Sequence, residues 1–198
     1  MNAFDPSTPA GLCGIFATVG LVIWPVFRTR GVMLSLQLVA LALLSLHYGL
    51  MGVTTAAIVN ALGTLQLVAC LAFGTHPRLR ILGYGLAGIM VLSSVATWQG
   101  FHSALSLGGN LVIAFGRLQT RAETVRLIVL AGMPFWLLHD LLIGSPVVLA
   151  DALSLAIGVV ALAWRNGMTG IPDPQARSRD LAFTAPTRYR GRQITPII

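Results

Sequence analysis

Seven long apolar runs divide this chain and leave it few ways to fold. They cover residues 11–27, 31–50, 53–74, 81–97, 101–116, 127–143 and 147–164. Their lengths are close to the roughly 20 residues that a helix needs to cross about 30 Å of hydrocarbon. Because lipid offers the backbone no hydrogen-bond partners, such runs are stable there as helices. The pattern therefore predicts an all-α, polytopic membrane protein with seven transmembrane helices.

The composition excludes an ordinary soluble domain. The mean hydropathy is +0.81 and only 10% of the residues are charged, whereas soluble domains carry about 25%. Cys13 and Cys70 both fall inside apolar runs, so we expect no disulfide framework. The first ten residues carry no basic side chain, and we therefore interpret the first run as a retained span and not as a cleaved signal peptide.

The distribution of basic residues predicts the orientation of the spans. All thirteen are arginines. They follow the first, third, fifth and seventh runs, at positions 28, 30, 78, 80, 117, 121, 126, 165, 177, 179, 188, 190 and 192. With seven spans these segments lie on one side of the membrane, and short arginine-rich loops stay cytoplasmic. We predict an N-terminus outside, a C-terminus in the cytoplasm, and a basic tail attracted to lipid headgroups and not to nucleic acid.

The sequence also contains an internal repeat. HYGLMG (His47 to Gly52) is followed 92 positions later by HDLLIG (His139 to Gly144). Thr29-Arg30 corresponds to Thr120-Arg121, and NALG (Asn60 to Gly63) to DALS (Asp151 to Ser154), each at an offset of 91. Duplicated bundles of this kind are typical of membrane transporters.

The repeat predicts a 3+1+3 organisation. Residues 11–74 form the first three-helix repeat, 75–100 a cytoplasmic turn and a linker helix, and 101–164 the second repeat. The linker helix gives the two repeats the same orientation across the bilayer, as in parallel repeats related by an axis along the membrane normal. Residues 1–10 are predicted to be an outer tail. Residues 165–198, rich in Arg, Pro, Gly and Thr, are predicted to be a disordered cytoplasmic tail.

The second and third runs resemble the YgjV family of bacterial inner-membrane proteins. The resemblance rests on the leucine-rich helix from Leu38 to His47-Tyr48, the turn Leu50-x-Gly52, and the small-residue helix from Ala56 to Asn60. It extends over about residues 11–166, with a weaker match from Trp136 to Arg165. The resemblance implies a multi-pass protein of the bacterial inner membrane.

The 3+1+3 plan also resembles the SWEET sugar facilitators and the wider PQ-loop group. Pro25 stands where the first-helix proline of those proteins falls. The corresponding LVIAFGR (Leu111 to Arg117) has no proline, and neither repeat has the glutamine of the PQ motif. This resemblance implies a carrier in which polar residues of the third helix of each repeat bind the substrate.

Asn60 and Asp151 are the leading candidates for substrate contacts. They occupy equivalent positions in the third helix of each repeat, so pseudo-symmetry would place them across a central cavity. Polar side chains within spans are costly and usually functional. The alternative is a wet outer vestibule, because Asp151 lies only about 8 Å along a helix that starts near Pro146.

Further candidates lie in the same two repeats. His47 and His139 are expected near the outer boundary, where they contact substrate, sense protons or serve in packing. Asp140 could pair with either histidine. Trp136 could line the cavity or face lipid, and Pro25 and Pro134 are candidate hinges because proline removes a helical hydrogen bond. No metal site or cofactor is implied.

These observations lead to one functional prediction and one alternative. Motifs of hydrolases, metalloproteases and P-loop enzymes are absent, and the lack of lysine excludes Schiff-base chemistry, so we do not expect an enzyme. We predict a carrier for a small polar metabolite that works by alternating access between two pseudo-symmetric halves. The alternative is a non-transporting membrane scaffold or receptor that docks through its basic tail.

Overall fold

Helices make up nearly all of the chain that the structure describes. The structure is a computed structural model, and it describes residues 7–73, 76 and 78–168. The helices are α1 (Pro9–Ile23), α2 (Arg30–Leu50), α3 (Thr54–Phe73), α4 (Arg78–Ala96), α5 (Phe101–Arg117), α6 (Ala122–Ile143) and α7 (Val147–Met168). Within these described ranges no strand occurs, so the all-helical prediction is confirmed.

The helices agree with the apolar runs to within a few residues at each end. The largest difference at a helix start is in α6, which begins at Ala122 where the run begins at residue 127. Its first turn holds the polar Glu123, whose negative charge suits the positive end of a helix dipole. Hydropathy marks where a helix is apolar, whereas the backbone hydrogen bonds continue into polar residues.

The tails predicted at the two ends lie mostly outside the described residues. Of the tail predicted for residues 1–10, residues 1–6 are outside, and α1 begins at Pro9. Of the tail predicted for residues 165–198, residues 169–198 are outside, and α7 continues to Met168. The chain up to Ala161 forms one compact unit, and Leu162–Ile198 is a second one. The site described below lies in the first unit.

Five helical segments are long and apolar enough to cross a membrane. They are Pro9–Val26, Arg30–Leu50, Thr54–Phe73, Ala122–Ile143 and Val147–Trp164. A further apolar segment, Ile81–Ala96, is shorter. Helix α5 has 17 residues and buries polar side chains on one face, so its average hydropathy understates how well it fits a bundle.

The two prolines predicted as hinges occupy different environments. Pro25 was expected inside the first helix, but α1 ends at Ile23 and Pro25 is the buried middle residue of a 3₁₀ turn, Trp24–Val26. Proline cannot donate the backbone hydrogen bond that would continue the α-helix. Pro134 lies inside α6, as predicted, and is exposed on the outer face of the helix.

Apolar side chains cover the outside of the bundle, and polar side chains fill much of its interior. Phe16, Leu92 and Val160 are 62%, 72% and 66% exposed, as expected for surfaces that face lipid. Sixteen polar or charged residues of the described chain are buried. Unlike a soluble domain, the bundle has an apolar exterior, and the polar groups that could carry chemistry lie among the apolar side chains of its interior.

The contacts at the helix termini define two ends of the bundle. At one end, here called the histidine end, the rings of His47, His102 and His139 lie close to Tyr48 or to one another. At the other, the arginine end, Arg126 bonds Pro25 and Arg30 bonds the end of α5. Helices α1 and α5 begin at the histidine end and α2 and α6 at the arginine end.

The turns after α2 and α6 share one backbone feature. Gly52 and Gly144 have φ angles of 77° and 66°, a left-handed conformation that favours glycine. They occupy equivalent positions in the repeated HYGLMG and HDLLIG segments. After α6, the N–H of Ser145 bonds the carbonyl of Asp140 at 2.9 Å, which closes the helix end directly beneath the buried side chains described next.

Candidate functional site

A small cavity lies in the interior of the bundle. It is lined by Leu21, Trp24, Gln37, Leu41, Leu44, Tyr48, Asn60, Asn110, Ile113, Arg117, Val129, Met133, Trp136 and Asp151. Its volume is about 30 Å³, counted as the space that the centre of a water molecule can occupy. One water needs about 10–15 Å³ on that measure. The cavity therefore has room for about two or three waters.

Three of the five predicted substrate contacts line this cavity together. Asn60, Asp151 and Trp136 come from α3, α7 and α6 and are all buried. Asp151 is only 4% exposed, so it lies in the protein interior and not in an open vestibule. His47 and His139 do not line the cavity, although both are completely buried at the histidine end.

The two leading candidates differ in their polar contacts. The side-chain nitrogen of Asn60 donates to the carbonyl of Ala56 in the same helix at 2.8 Å, which leaves its oxygen as the group available to a ligand. The Oδ2 atom of Asp151 is buried and has no hydrogen-bond partner in the protein. Both positions thus present an oxygen to the cavity, one neutral and one from a carboxyl group.

A hydrogen-bonded network built on Tyr48 closes the histidine end of the cavity. The Tyr48 hydroxyl donates to both oxygens of Asp140, at 2.7 and 2.9 Å. His139 Nδ1 lies 2.9 Å from the same Asp140 Oδ1. Asp140 therefore pairs with His139, one of the two possibilities expected from the sequence, and also with Tyr48.

Aromatic rings surround this network. Trp136 stacks on Tyr48 with ring centroids 5.7 Å apart and meets His139 edge to face at 5.0 Å. His47 Nδ1 lies 2.8 Å from the carbonyl of Ala10, and its Nε2 is 3.4 Å from Ser145 Oγ. His47 thereby joins the start of α1 to the start of α7, a packing role that was one of its predicted alternatives.

The arginine end of the cavity carries a second polar group, here called the donor cluster: Arg117, Gln37 and Asn110. Each of these side chains is at most 2% exposed. Arg117 Nε donates to Gln37 Oε1 at 3.1 Å. Arg117 Nη1, Gln37 Nε2 and Asn110 Nδ2 are buried donors without a protein partner.

The sequence interpretation of Arg117 and Arg126 needs correction. Both were assigned to an arginine-rich cytoplasmic segment after the fifth span, yet both are buried, at 2% and 0% exposure. Arg126 Nε donates to the carbonyl of Pro25 at 3.1 Å. These two arginines therefore lie inside the bundle and not in an exposed loop, because α5 continues to residue 117 and α6 starts before residue 126.

The repeat itself contained a signal for the missed cavity residues. An offset of 92 relates Gln37 to Val129, Leu41 to Met133 and Leu44 to Trp136, and all six residues line the cavity. The same offset relates Tyr48 to Asp140, which are hydrogen-bonded to each other. Extending the repeat from His47 back along α2 would have brought Gln37, Leu41 and Leu44 into the predicted site.

Comparisons with known proteins identify the family. A comparison with curated proteins and with solved structures finds no match to this chain. A family model, Imp-YgjV, described as bacterial inner membrane protein, matches residues 10–166. This range includes all of the cavity residues and both ends of the bundle, which agrees with the resemblance seen in the sequence. This chain, with its apolar exterior and polar interior, belongs to the Imp-YgjV family of bacterial inner membrane proteins.

Proposed function

We propose that this protein is a carrier that moves a small polar metabolite across the bacterial inner membrane by alternating access. The observation that carries the proposal is the central cavity, whose walls contain buried polar atoms without protein partners on α2, α5 and α7. Leaving such groups unpaired in a bundle costs roughly 1–3 kcal/mol each. A polar substrate that bonds them during transport offsets this cost.

The helix directions support a bundle of two halves. In this proposal α4 and α5 also cross the membrane, which gives seven spans arranged as 3+1+3. Helices α1 and α5 both begin at the histidine end, as two parallel repeats joined by a linker helix require. The cavity then lies between the halves, with Asn60 contributed by one and Asp151 by the other.

The arginine distribution supports the orientation. We place the arginine end on the cytoplasmic side, with the N-terminus outside and the C-terminus inside. This assignment no longer uses the buried Arg117 and Arg126. It rests on the exposed Arg28 and on the arginines at positions 121, 165 and beyond.

The small cavity corresponds to a closed step of the transport cycle. A volume of about 30 Å³ is far below the roughly 300–1,000 Å³ of typical ligand pockets. Opening therefore requires the two halves to rock apart at one end at a time. Pro25, in the 3₁₀ turn, and Pro134, within α6, are the positions at which we expect the helices to bend.

Two-sided cysteine accessibility tests the carrier function. Cys13 and Cys70 are first replaced by alanine, and single cysteines are then placed at Asn60 and Asp151. A membrane-impermeant maleimide is applied to right-side-out and to inverted vesicles. Because alternating access exposes the cavity to each side in turn, we expect both cysteines to be labelled in both preparations.

Two alanines serve as matched controls: Ala56 lies one helical turn from Asn60, and Ala150 lies one residue from Asp151. Ala56 and Ala150 are completely buried but do not line the cavity, so cysteines there should stay unlabelled from either side. Labelling of positions 60 and 151 from one side only, or from neither, would contradict the carrier function and favour a non-transporting scaffold or receptor. Labelling of Ala56→Cys as strongly as Asn60→Cys would indicate general unfolding.

A further inference from the structure

We propose that the donor cluster binds a carboxylate group of the transported molecule, so that the substrate is an organic carboxylate and not a neutral polar compound such as a sugar. This inference rests on the carrier function proposed above and adds the substrate class to it. It is carried by the charge and the hydrogen bonding of Arg117.

Arg117 is a buried cation without a buried anion beside it. Among the described residues, the contact within 4 Å between a basic side chain and a carboxyl group joins His139 and Asp140 at the opposite end of the cavity, and no carboxyl group approaches Arg117 that closely. The Arg117 side chain makes one hydrogen bond, to the neutral amide oxygen of Gln37. A buried charge is stable only when it is paired, so this guanidinium has the chemistry to receive an anion.

Two neighbouring arginines show what a structural arginine looks like in this bundle. Arg30 donates through Nε to the carbonyl of Gln119 at 2.9 Å and through Nη2 to the carbonyl of Arg117 at 3.0 Å. Arg126 donates to the carbonyls of Pro25 and Phe27. Both guanidinium groups therefore tie helix ends together. Arg117 differs because its side chain has no backbone carbonyl partner and faces the cavity.

The donors of the cluster have the chemistry to bind a planar oxyanion of single charge. Arg117 contributes one positive charge, and its Nη1, Gln37 Nε2 and Asn110 Nδ2 are three N–H groups that lack protein acceptors. The bond from Arg117 Nε fixes the Gln37 oxygen toward the guanidinium and its nitrogen away from it. A carboxylate offers two oxygens in the geometry that arginine binds best, and its charge equals that of the single cation.

Helix α3 approaches the cluster without a side chain. A Cβ on Gly63 would come within 3.0 Å of Arg117 Nη1 and 3.5 Å of Asn110 Oδ1. Glycine at this position leaves the guanidinium in place and keeps the space beside it open.

The test measures binding to the full-length protein in nanodiscs. Trp24 and Trp136 line the cavity, so intrinsic fluorescence reports occupancy. The probes are lactate, its neutral match lactamide, and inorganic phosphate. We expect lactate to bind at least about tenfold more tightly than lactamide, since one charge-assisted hydrogen bond contributes about 1.5–3 kcal/mol, and more tightly than phosphate.

Substitutions test whether the preference for lactate over lactamide depends on Arg117. Arg117→Gln should abolish the preference for lactate over lactamide, and Arg117→Lys should restore part of it. Arg28→Gln removes the same charge from an exposed position and should leave the preference unchanged. Should Arg117→Gln fail to fold, Asn110→Leu keeps the cation and removes one donor, and it should weaken lactate binding several-fold and more than it weakens lactamide binding.

The outcomes separate this inference from the carrier function. Equal binding of lactate and lactamide, tighter binding of phosphate, or an unchanged preference in Arg117→Gln would each overturn the carboxylate site. Failure of all three probes to bind would overturn it as well. The carrier function would survive any of these results if the cysteines at positions 60 and 151 were labelled from both sides.

Discussion

Tyr48 occupies the central position among the residues at the histidine end. Its hydroxyl is the shared donor to both oxygens of Asp140, and its ring is stacked on Trp136. A buried carboxyl group is stable inside a membrane bundle only when its oxygens are bonded. The Tyr48 hydroxyl therefore gives Asp140 the hydrogen bonds that water gives to a carboxylate at a protein surface.

Removing this hydroxyl should destabilise the protein measurably. We expect Tyr48→Phe to lower the free energy of unfolding by about 1–3 kcal/mol, because a buried acceptor loses its strongest donor. The measurement is chemical unfolding in detergent, followed by tryptophan fluorescence. Tyr84, which is 62% exposed, supplies the matched control, and Tyr84→Phe should change the stability by less than about 0.5 kcal/mol. Equal effects of the two substitutions would show that the Tyr48–Asp140 bond contributes nothing.

At the scale of elements, α5 shows how a helix of modest hydropathy fits a membrane bundle. Its buried polar residues Ser103, Ser106, Asn110 and Arg117 are spaced three, four and seven positions apart, which places them on one face. That face is turned into the bundle. The apolar run that contains α5 is short and is interrupted by Gly108, Gly109 and Asn110, although the spacing of the polar residues already indicated a helix with a polar interior face.

Helix α5 packs closely on α6 because glycines lie where the two helices meet. A Cβ on Gly132 would approach Ile113 Cγ1 to 2.5 Å and the carbonyl of Gly109 to 3.1 Å. A Cβ on Gly109 would in turn meet the Trp136 ring at 2.9 Å. The close approach of these helices therefore determines where Trp136, a cavity residue, is held.

Glycine-to-alanine substitutions in α6 and in α4 should change the free energy of unfolding differently. Gly132→Ala should lower the free energy of unfolding by about 1–3 kcal/mol, because the added methyl group overpacks the α5–α6 contact. Gly88→Ala in α4 meets open space and should be neutral or stabilise by up to about 1 kcal/mol, since alanine favours a helix over glycine. Thermal unfolding in detergent measures both. A Gly132→Ala protein as stable as the parent would contradict the close packing.

At the scale of the whole molecule, the sequence predicted the helices well and the interior only in part. Apolar runs locate each helix because lipid-facing surface dominates its composition. The repeat also brought Asn60 and Asp151 to the same cavity. It could not indicate that Arg117 is buried, since an arginine at a helix end has the same local sequence whether it reaches solvent or turns into a bundle. Only the packing of α5 against α3 and α6 decides this.

The number of crossings can be tested at two loop positions. Seven spans place Gln99, between α4 and α5, outside the cell and Thr120, between α5 and α6, inside. In intact cells an impermeant maleimide should therefore label Gln99→Cys and not Thr120→Cys, with the reverse in inverted vesicles. Labelling of both positions from the cytoplasmic side would mean that neither α4 nor α5 crosses. Labelling of Gln99 from inside and Thr120 from outside would mean that only α5 crosses, and labelling of both positions from outside would mean that only α4 does.

The bond between Tyr48 and Asp140 has a consequence for how such a bundle could arise. The two residues occupy equivalent positions, 92 residues apart, in the repeat predicted from the sequence. Two identical subunits meeting at a symmetry axis would bring together two tyrosines or two aspartates, and neither arrangement gives a hydroxyl donor opposite a carboxylate acceptor. A tyrosine opposite an aspartate at equivalent positions requires both halves to be in one chain, because the sequence of each half can then change independently. In the duplicated bundle predicted from the sequence, such a pair would prevent the two halves from exchanging places.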